Sequence, residues 1–477
     1  MDGLRQRLRV FWSGPGGGRE VLSISYPLIL SQMSFTIGAF CDRLFLTWYS
    51  QEAVAGSVTA LFATWTFMGL CLGTGEYATT FVAQYFGARR DDRIGPAVWQ
   101  GIYFSAICGV LIAALSPLAA PVFALTGHAP LVRAYETEYA RIVMLGAFPI
   151  VLMGTLSTFF AGRGETRVIL LVNIGLTFVD ALLNYAWIFG HWGFPRAGVA
   201  GAAWSTVLCQ GLGAAIYMMI ILKAENRQRF RTLAGWRFEW SLFARLIRFG
   251  LPSGLQYSLE IGAFSLFMII VGRIGTAELA ASGIAFNLNM IVFMPMIGLG
   301  IGVSSIVGRY LGSDQPDIAE RSTWSAFALS LVYMAACGAV YLLAPNLLLA
   351  PYASHASAEF ARVQEIGVVL LRFIALYSIF DMFNVIFAAG LKGAGDTRYP
   401  LAITVILSWV AMLIPAWLLC VHGHYGVYVA WSTASAYVVL LGLLMIRRFR
   451  KGDWKALRVI EPHVIPELAA ATPGEAA

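Results

Sequence analysis

The chain has 477 residues, of which 58% are hydrophobic and only 12% charged, and its mean hydropathy is +0.71. Soluble domains carry about 25% charged residues, so an ordinary water-facing surface cannot be covered and a soluble enzyme is excluded. The formal net charge of +7 does not point to nucleic acid. The Lys and Arg crowd 223–248 and Arg447 to Arg458, each beside a long apolar run, which is the pattern of a cytoplasmic membrane flank.

In chain order, residues 1–20 are expected as a cytoplasmic segment. Arg5, Arg7 and Arg9 lead into the run Gly14 to Gly18, which interrupts any short apolar region and argues against a cleaved signal peptide. Apolar stretches bounded by charge, Gly and Pro then predict twelve helices: 22–47, 55–83, 98–119, 141–160, 169–189, 198–222, 249–271, 279–308, 323–344, 366–390, 400–420 and 425–446. With the N-terminus inside, Arg89, Arg90, Arg93, Arg163, Arg167, Arg309, Arg321, Lys392 and Arg398 fall on the inner side, as do both basic clusters. The positive-inside rule therefore puts both termini in the cytoplasm. The predicted division is a first six-helix bundle over 21–223, a basic connector over 224–248, a second bundle over 249–446 and a cytoplasmic tail over 447–477. Trp236, Phe238 and Trp240 among the arginines of the connector suit the headgroup level.

The second half repeats the first. Ile37-Gly38-Ala39-Phe40 returns as Ile261-Gly262-Ala263-Phe264, and V-A-Q-Y-F-G (82–87) as V-G-R-Y-L-G (307–312). Gly164-Glu165-Thr166-Arg167 returns as Gly395-Asp396-Thr397-Arg398, and Ala203-Trp204-Ser205-Thr206 as Ala430-Trp431-Ser432-Thr433. Pro27 and Gln32 are likewise echoed by Pro252 and Gln256. Six crossings per unit give both units the same orientation. The expected fold is thus an all-α polytopic membrane protein, with twelve transmembrane helices in two parallel six-helix repeats around a V-shaped central cleft.

A charge at the bilayer centre costs about 2.5–3.5 kcal/mol on insertion scales, so buried acids must face protein or water. Asp180, Glu260 and Asp381 lie near the midpoints of their spans. In the fifth span Asn173, Thr177, Asp180 and Asn184 recur at steps of four, three and four, and so share one helix face. In the first span Ser31, Ser34, Gly38 and Asp42 do the same. If those faces meet, they offer oxygen ligands for a small cation or a carboxylate pair that shares a proton. In the second half Gln256 and Glu260 are one turn apart, Tyr377, Asp381 and Asn384 share a face, and Asn287 and Asn289 lie in the eighth span. The competing account is that these groups only join polar helix contacts, each contributing about 0.6–2 kcal/mol. Glu76, nearer the inner end of the second span, is open to either account and could reach the interface.

Tyr257, Phe286, Phe293 and Tyr377 could line a cavity for a flat cation, although most aromatics here suit bundle cores and lipid belts. Pro27, Pro252, Pro295 and Pro415 can bend their helices. Cys41, Cys71, Cys108, Cys209, Cys337 and Cys420 are scattered singly and suggest neither a disulfide framework nor a metal centre. The histidines form no metal motif. A GxxxxGK[ST] loop is absent, as is any nucleophile with its base at motif spacing, so no enzyme is indicated.

Taken with the two repeats, V-A-Q-Y-F-G-A (82–88), I-V-G-R-Y-L-G (306–312) and A-G-L-K-G-A-G-D-T (389–397) resemble the multidrug and toxic compound extrusion (MATE) family, closest to its bacterial NorM-like branch. The resemblance runs from about residue 18 to 450. It implies a multi-pass antiporter of the bacterial inner membrane that exports amphiphilic organic cations in exchange for Na⁺ or H⁺, with no cofactor beyond that ion and no structural metal. The helix 7 glutamate of the branch looks like Glu260, its helix 10 aspartate like Asp381, and its helix 1 acid like Asp42. In helix 5 the family commonly shows an Asn followed one turn later by an acid or amide. Here Asp180 and Asn184 stand with the identities exchanged, which leaves the first-bundle ligand set open. The ion-coupling candidates are Glu260, Asp381, Asp42, Asp180, Asn184 and Asn173, and the cleft candidates are Gln256, Tyr257, Asn287, Phe286, Phe293, Tyr377 and Asn384. Partners are expected to be small amphiphilic cations and membrane lipid, not nucleic acid, with each chain a monomer. The runner-up is a flippase or exporter of a lipid-linked or other amphiphilic metabolite. Such a protein would fill its cleft with basic residues to meet phosphate, and mid-span Lys and Arg are nearly absent from the sequence.

Overall fold

The computed structural model describes residues 11–352 and 358–461; Arg5, Arg7, Arg9 and the end of the tail lie outside the described residues. Within them every regular element is a helix. Eleven helices are long and apolar enough to cross a membrane, and a twelfth crossing is reached if one bent pair counts as a single span. We number them α1 (Gly18–Tyr49), α2 (Gln51–Gly87), α3 (Ile94–Leu115), α4 (Pro130–Leu145 with Ala147–Arg163), α5 (Thr166–Phe189), α6 (Gly198–Ile221), α7 (Trp240–Gly272), α8 (Thr276–Gly312), α9 (Pro316–Leu343), α10 (Ala358–Ala394), α11 (Arg398–His422) and α12 (Val427–Lys451). The protein is a multi-pass membrane protein.

Two helix starts differ most from the sequence expectation. Apolarity alone starts the fourth span at residue 141, but the helix begins at Pro130, which occupies a first-turn position where its missing N–H costs nothing. Glu136, Glu138 and Arg141 had masked that amphipathic first half. The two halves of α4 meet at Gly146 at an angle of 52°, where a side chain would collide with Val207 of α6. The second difference is α7, which begins at Trp240, inside the segment expected as connector.

The buried side chains form two hydrophobic cores. One runs from Leu28 to Leu246 and takes in Val459; the other runs from Ala263 to Trp454 and takes in Val21 and Ile24. The seam between them is made by glycines spaced four apart, which let helix backbones approach closely. Gly69 and Gly73 of α2 lie against α7, where a Cβ built on Gly73 would stand 2.9 Å from the Cα of Gly254. Gly298 and Gly302 of α8 lie in the same way against Ile29 and Ser25 of α1. Towards the end that carries the α2–α3, α4–α5, α8–α9 and α10–α11 turns, here called the basic end, the seam continues. There Gly87 meets Arg309, the Ser305 hydroxyl donates to the Ala161 carbonyl at 2.6 Å, and Glu20 of α1 pairs with Arg309.

Motifs that match in sequence take matching local shapes at this end. Gly164 and Gly395 have φ of 79° and 107°, and Arg89 and Asp314 have φ of 56° and 55°, all in the left-handed region. The acid after each glycine is paired: Glu165 with Arg163 at 2.6 Å and Asp396 with Arg448 at 2.8 Å. The tryptophans of the last matched motif diverge, since Trp431 is fully buried and Trp204 is 41% exposed.

Candidate functional site

The polar stripes of α1 and α5 face one another. A Cβ on Gly38 would stand 3.5 Å from the Thr177 methyl, so the small residue lets α5 approach. Asn173 donates to the Ser31 hydroxyl at 2.6 Å and accepts from the Tyr217 hydroxyl of α6 at 3.4 Å. The Thr177 hydroxyl reaches the Ser34 carbonyl at 3.4 Å. Two turns further along, the Asn184 amide donates to Asp42 at 2.5 Å and to Asp180 at 3.2 Å, and Ser205 of α6 donates to the second oxygen of Asp180 at 3.0 Å. One carboxamide nitrogen therefore bridges two carboxylates on neighbouring helices. Asn184 is fully buried, and its carbonyl oxygen has no hydrogen-bond partner.

A buried acceptor left without a donor costs about 1–3 kcal/mol, and two carboxylates sharing one donor repel each other. Either a proton or a small hard cation between the two acids relieves both, and oxygen-only ligation suits Na⁺. Among the described residues neither Asp42 nor Asp180 has a Lys or Arg within ion-pair distance. Arg43 is exposed, as expected of a side chain that snorkels.

The second core holds the other acids. Glu260 on α7 and Asp381 on α10 lie within electrostatic reach of one another, and the buried Tyr437 of α12 feels both. Asn384, one turn from Asp381, turns its amide toward that carboxylate, leaving its carbonyl oxygen unpartnered. Gln256 donates to the Thr404 hydroxyl of α11 at 3.2 Å, and its own carbonyl oxygen is likewise unpartnered. Helix α11 is π-helical over Ser408–Leu413 and Trp417–His422, on either side of Pro415, and such wide turns are frequent at functional sites.

The cleft candidates divide by exposure. Tyr257 and Asn287 are exposed, and Phe293 is half-buried. Tyr377, Gln256 and Asn384 are buried. Phe286 stacks on the fully buried Trp431 with centroids 4.9 Å apart, and Tyr377 lies 6.5 Å from the same ring. These two side chains thus pack into the second core in this conformation. The Trp431 indole is held by a 3.0 Å bond to the Ser282 hydroxyl.

Sequence reasoning missed two groups. Lys392 counted as an inner-turn cation, yet it lies in the last turn of α10, half-buried and within electrostatic reach of Glu260. Mid-span Lys and Arg remain few, but Lys392 brings a cation from the helix end within electrostatic reach of Glu260. Glu76, left open between a functional and an interfacial role, is exposed. It stands at the break in α2, where its carboxylate packs 3.1 Å from a Cβ built on Gly154 of α4, and it acts together with Glu260 on Tyr257. Hydropathy reports neither fact, because it records depth and not the neighbour faced.

The chain matches the MatE family over residues 27–186 and 252–418. It belongs to the MATE family. Members of this family are transporters and not enzymes, and the chain is a MATE-type secondary transporter related to bacterial NorM-like proteins. It is 26% identical over 455 residues to the "Probable multidrug resistance protein NorM" of Thermotoga maritima, covering 94% of this chain and 96% of that one. To the protein of the same name from Mesorhizobium japonicum it is 28% identical, covering 91% and 94%. Among solved structures, an outward-facing multidrug resistance MATE transporter superposes with a TM-score of 0.83 at 19% identity, covering 91% of this chain and 95% of that one. A MOP superfamily transporter from Pyrococcus furiosus, described as having a binding pocket of reversed polarity, superposes at 0.82 with the same identity and coverage. At that identity the superpositions speak for the fold.

Proposed function

We propose that the protein is an antiporter that expels amphiphilic organic cations through a V-shaped cleft between two parallel six-helix units, in exchange for Na⁺ or H⁺. The units are residues 21–223 and 249–446, the basic segment 224–248 joins them, and both termini lie on the cytoplasmic side of a bacterial inner membrane. Support for the two units comes from the two hydrophobic cores, the glycine seam and the matched left-handed turns. The prevalence of Lys and Arg at the basic end supports the orientation.

The observation that carries the coupling mechanism is the bridge from Asn184 to Asp42 and Asp180, with its unpartnered carbonyl oxygen. In this mechanism Asp42, Asp180, Asn184 and Asn173 hold the coupling ion in the first unit. Glu260 and Asp381 exchange an ion for the substrate cation in the second, beside Tyr257 and Asn287. Ion and substrate affect each other's affinity equally, as linkage requires. The gradient supplies about 2.3 kcal/mol per charge per 100 mV, plus the chemical term.

The test is efflux of a fluorescent organic cation from proteoliposomes, with Na⁺ and pH gradients imposed separately on wild type, D42N, D180N, E260Q and D381N. Wild type is expected to respond to one gradient, and each variant to lose most of that response. A wild type indifferent to both gradients would overturn the antiport reading. The second reading, export of an amphiphilic anion such as a lipid-linked metabolite, is favoured by one observation: the Lys392 ammonium beside Glu260. Transport of an anionic amphiphile, and not of cations, in the same vesicles would establish it.

A further inference from the structure

We propose that residues 452–461 are a latch that fastens the two helical units together at the basic end and must release before the transporter can open there. The proposal rests on the alternating-access reading above. Gly452, with φ of 80°, ends α12 in a left-handed turn and sends the chain back along the basic end. Trp454 is fully buried in the second core, stacked on Phe449 with centroids 4.7 Å apart, and its indole N–H donates to the Phe449 carbonyl at 2.8 Å. Lys455 reaches Asp317 at 2.9 Å and Glu320 at 2.6 Å, and Arg458 reaches Asp314 at 3.0 Å, all at the α8–α9 turn of the same unit.

Five residues after Trp454 the chain is in the other core. Val459 is 1% exposed there, and its backbone N–H donates to the Gln84 side chain at 2.9 Å. Gln84 in turn donates to the Gly393 carbonyl of α10 at 3.1 Å, so the strap and both units meet at one side chain. Glu461 then accepts from the Tyr85 hydroxyl at 2.8 Å and pairs with Arg90 at 3.4 Å, with Arg93 at 3.3 Å and with Arg245. These partners belong to the first unit or to the start of α7, whose Leu242, Phe243 and Leu246 are buried in the first core.

A strap anchored in one core by an indole and in the other by a valine and a carboxylate resists separation of the units at this end only. Its two anchors differ in how readily they let go. Trp454 lies in dry packing, whereas the Glu461 side chain keeps 32% of its surface in water, so water can replace its partners one by one. Neutralising Glu461 also leaves three guanidiniums facing one another, of which Arg93 alone keeps a second acid, Glu239 at 2.8 Å. The Glu461 end is therefore the one that opens.

The test uses spin labels at Arg167 and Ser313, exposed positions in the first turn of α5 and in the α8–α9 turn of the two units, in the full-length protein without substrate. E461Q and, separately, V459D are expected to raise the population with the longer label separation by roughly tenfold, the change produced by losing one charge-assisted contact. A second arm places cysteines at Gln84 and Val459 after the six native cysteines are replaced. Oxidation should stop exchange, and reduction should restore it. Unchanged separations in E461Q, or unimpaired exchange in the oxidised pair, would overturn the latch. A wild type that transports no organic cation while E461Q still lengthens the separation would sink the transport reading and leave the latch standing.

Discussion

Replacing Asn184 with Leu keeps the side-chain volume and removes the amide that donates to Asp42 at 2.5 Å and to Asp180 at 3.2 Å. A hydrogen bond to a charged group contributes about 1.5–3 kcal/mol, and the 2.5 Å bond is the one that carries the change. The loss also removes a buried oxygen that has no partner in the ion-free site, which returns about 1–3 kcal/mol to stability. The variant is therefore expected to fold as well as wild type while holding a coupling proton about 10- to 100-fold more tightly, because the lost amide stabilised the ion-free carboxylates and each 1.4 kcal/mol is a factor of ten. The assay is the concentration of H⁺ that half-saturates cation efflux, read beside a thermal melt. An N184L protein with wild-type ion dependence would refute the idea that this amide organises the ion site, whatever its melting temperature.

Three further outcomes follow from the same geometry. Gly254→Val places methyl groups against the Leu70 carbonyl and the Thr74 hydroxyl, and overpacking of this kind costs about 1–3 kcal/mol. Its melt should fall below that of Gly262→Ala, where the nearest atom is 3.9 Å away, and equal melts would count against the glycine seam. Lys392→Met removes the ammonium that competes for Glu260, so titration with a fluorescent organic cation should show severalfold tighter binding; weaker binding favours the anionic substrate. The last outcome concerns pH. Burial pushes the Glu461 carboxyl up, but the Arg245 and Tyr85 hydrogen bonds outweigh it and hold the group down at about 2. Its value in the unfolded chain is about 4.3, so its contribution is fully present above that pH and fades as pH falls toward 2. Wild type and E461Q should differ equally in melting temperature at pH 6 and pH 8 and converge below pH 4, and a difference that grew on acidification would contradict the sign.

Much of the fold was legible because apolar length and charge sidedness are properties of the chain itself. The steps of three and four that align Asn173, Thr177, Asp180 and Asn184 fix a helix face whatever the face meets. Ser31, Ser34 and Asp42 supplied a second such face, and the two are in contact. What the sequence could not supply is the identity of distant neighbours. The bend at Gly146 depends on Val207, sixty-one positions on. Phe286 and Tyr377 read as cavity lining until the fully buried Trp431 is found packed against both rings. Lys392 sits in the last turn of α10 and Glu76 at the break within α2, where hydropathy cannot tell a side chain that turns inward from one that reaches the interface. The strap was legible only as a basic tail, because an isolated valine and glutamate carry no periodic signal.

The most direct test of the antiport account is to add a saturating organic cation to purified protein that has been equilibrated with its coupling ion, and to count the ions released, as protons with a pH indicator or as radioactive Na⁺. About one ion released per substrate bound, lost in E260Q and D381N while substrate still binds, is the predicted result. Substrate binding that releases no ion of either kind from the wild-type protein would contradict it.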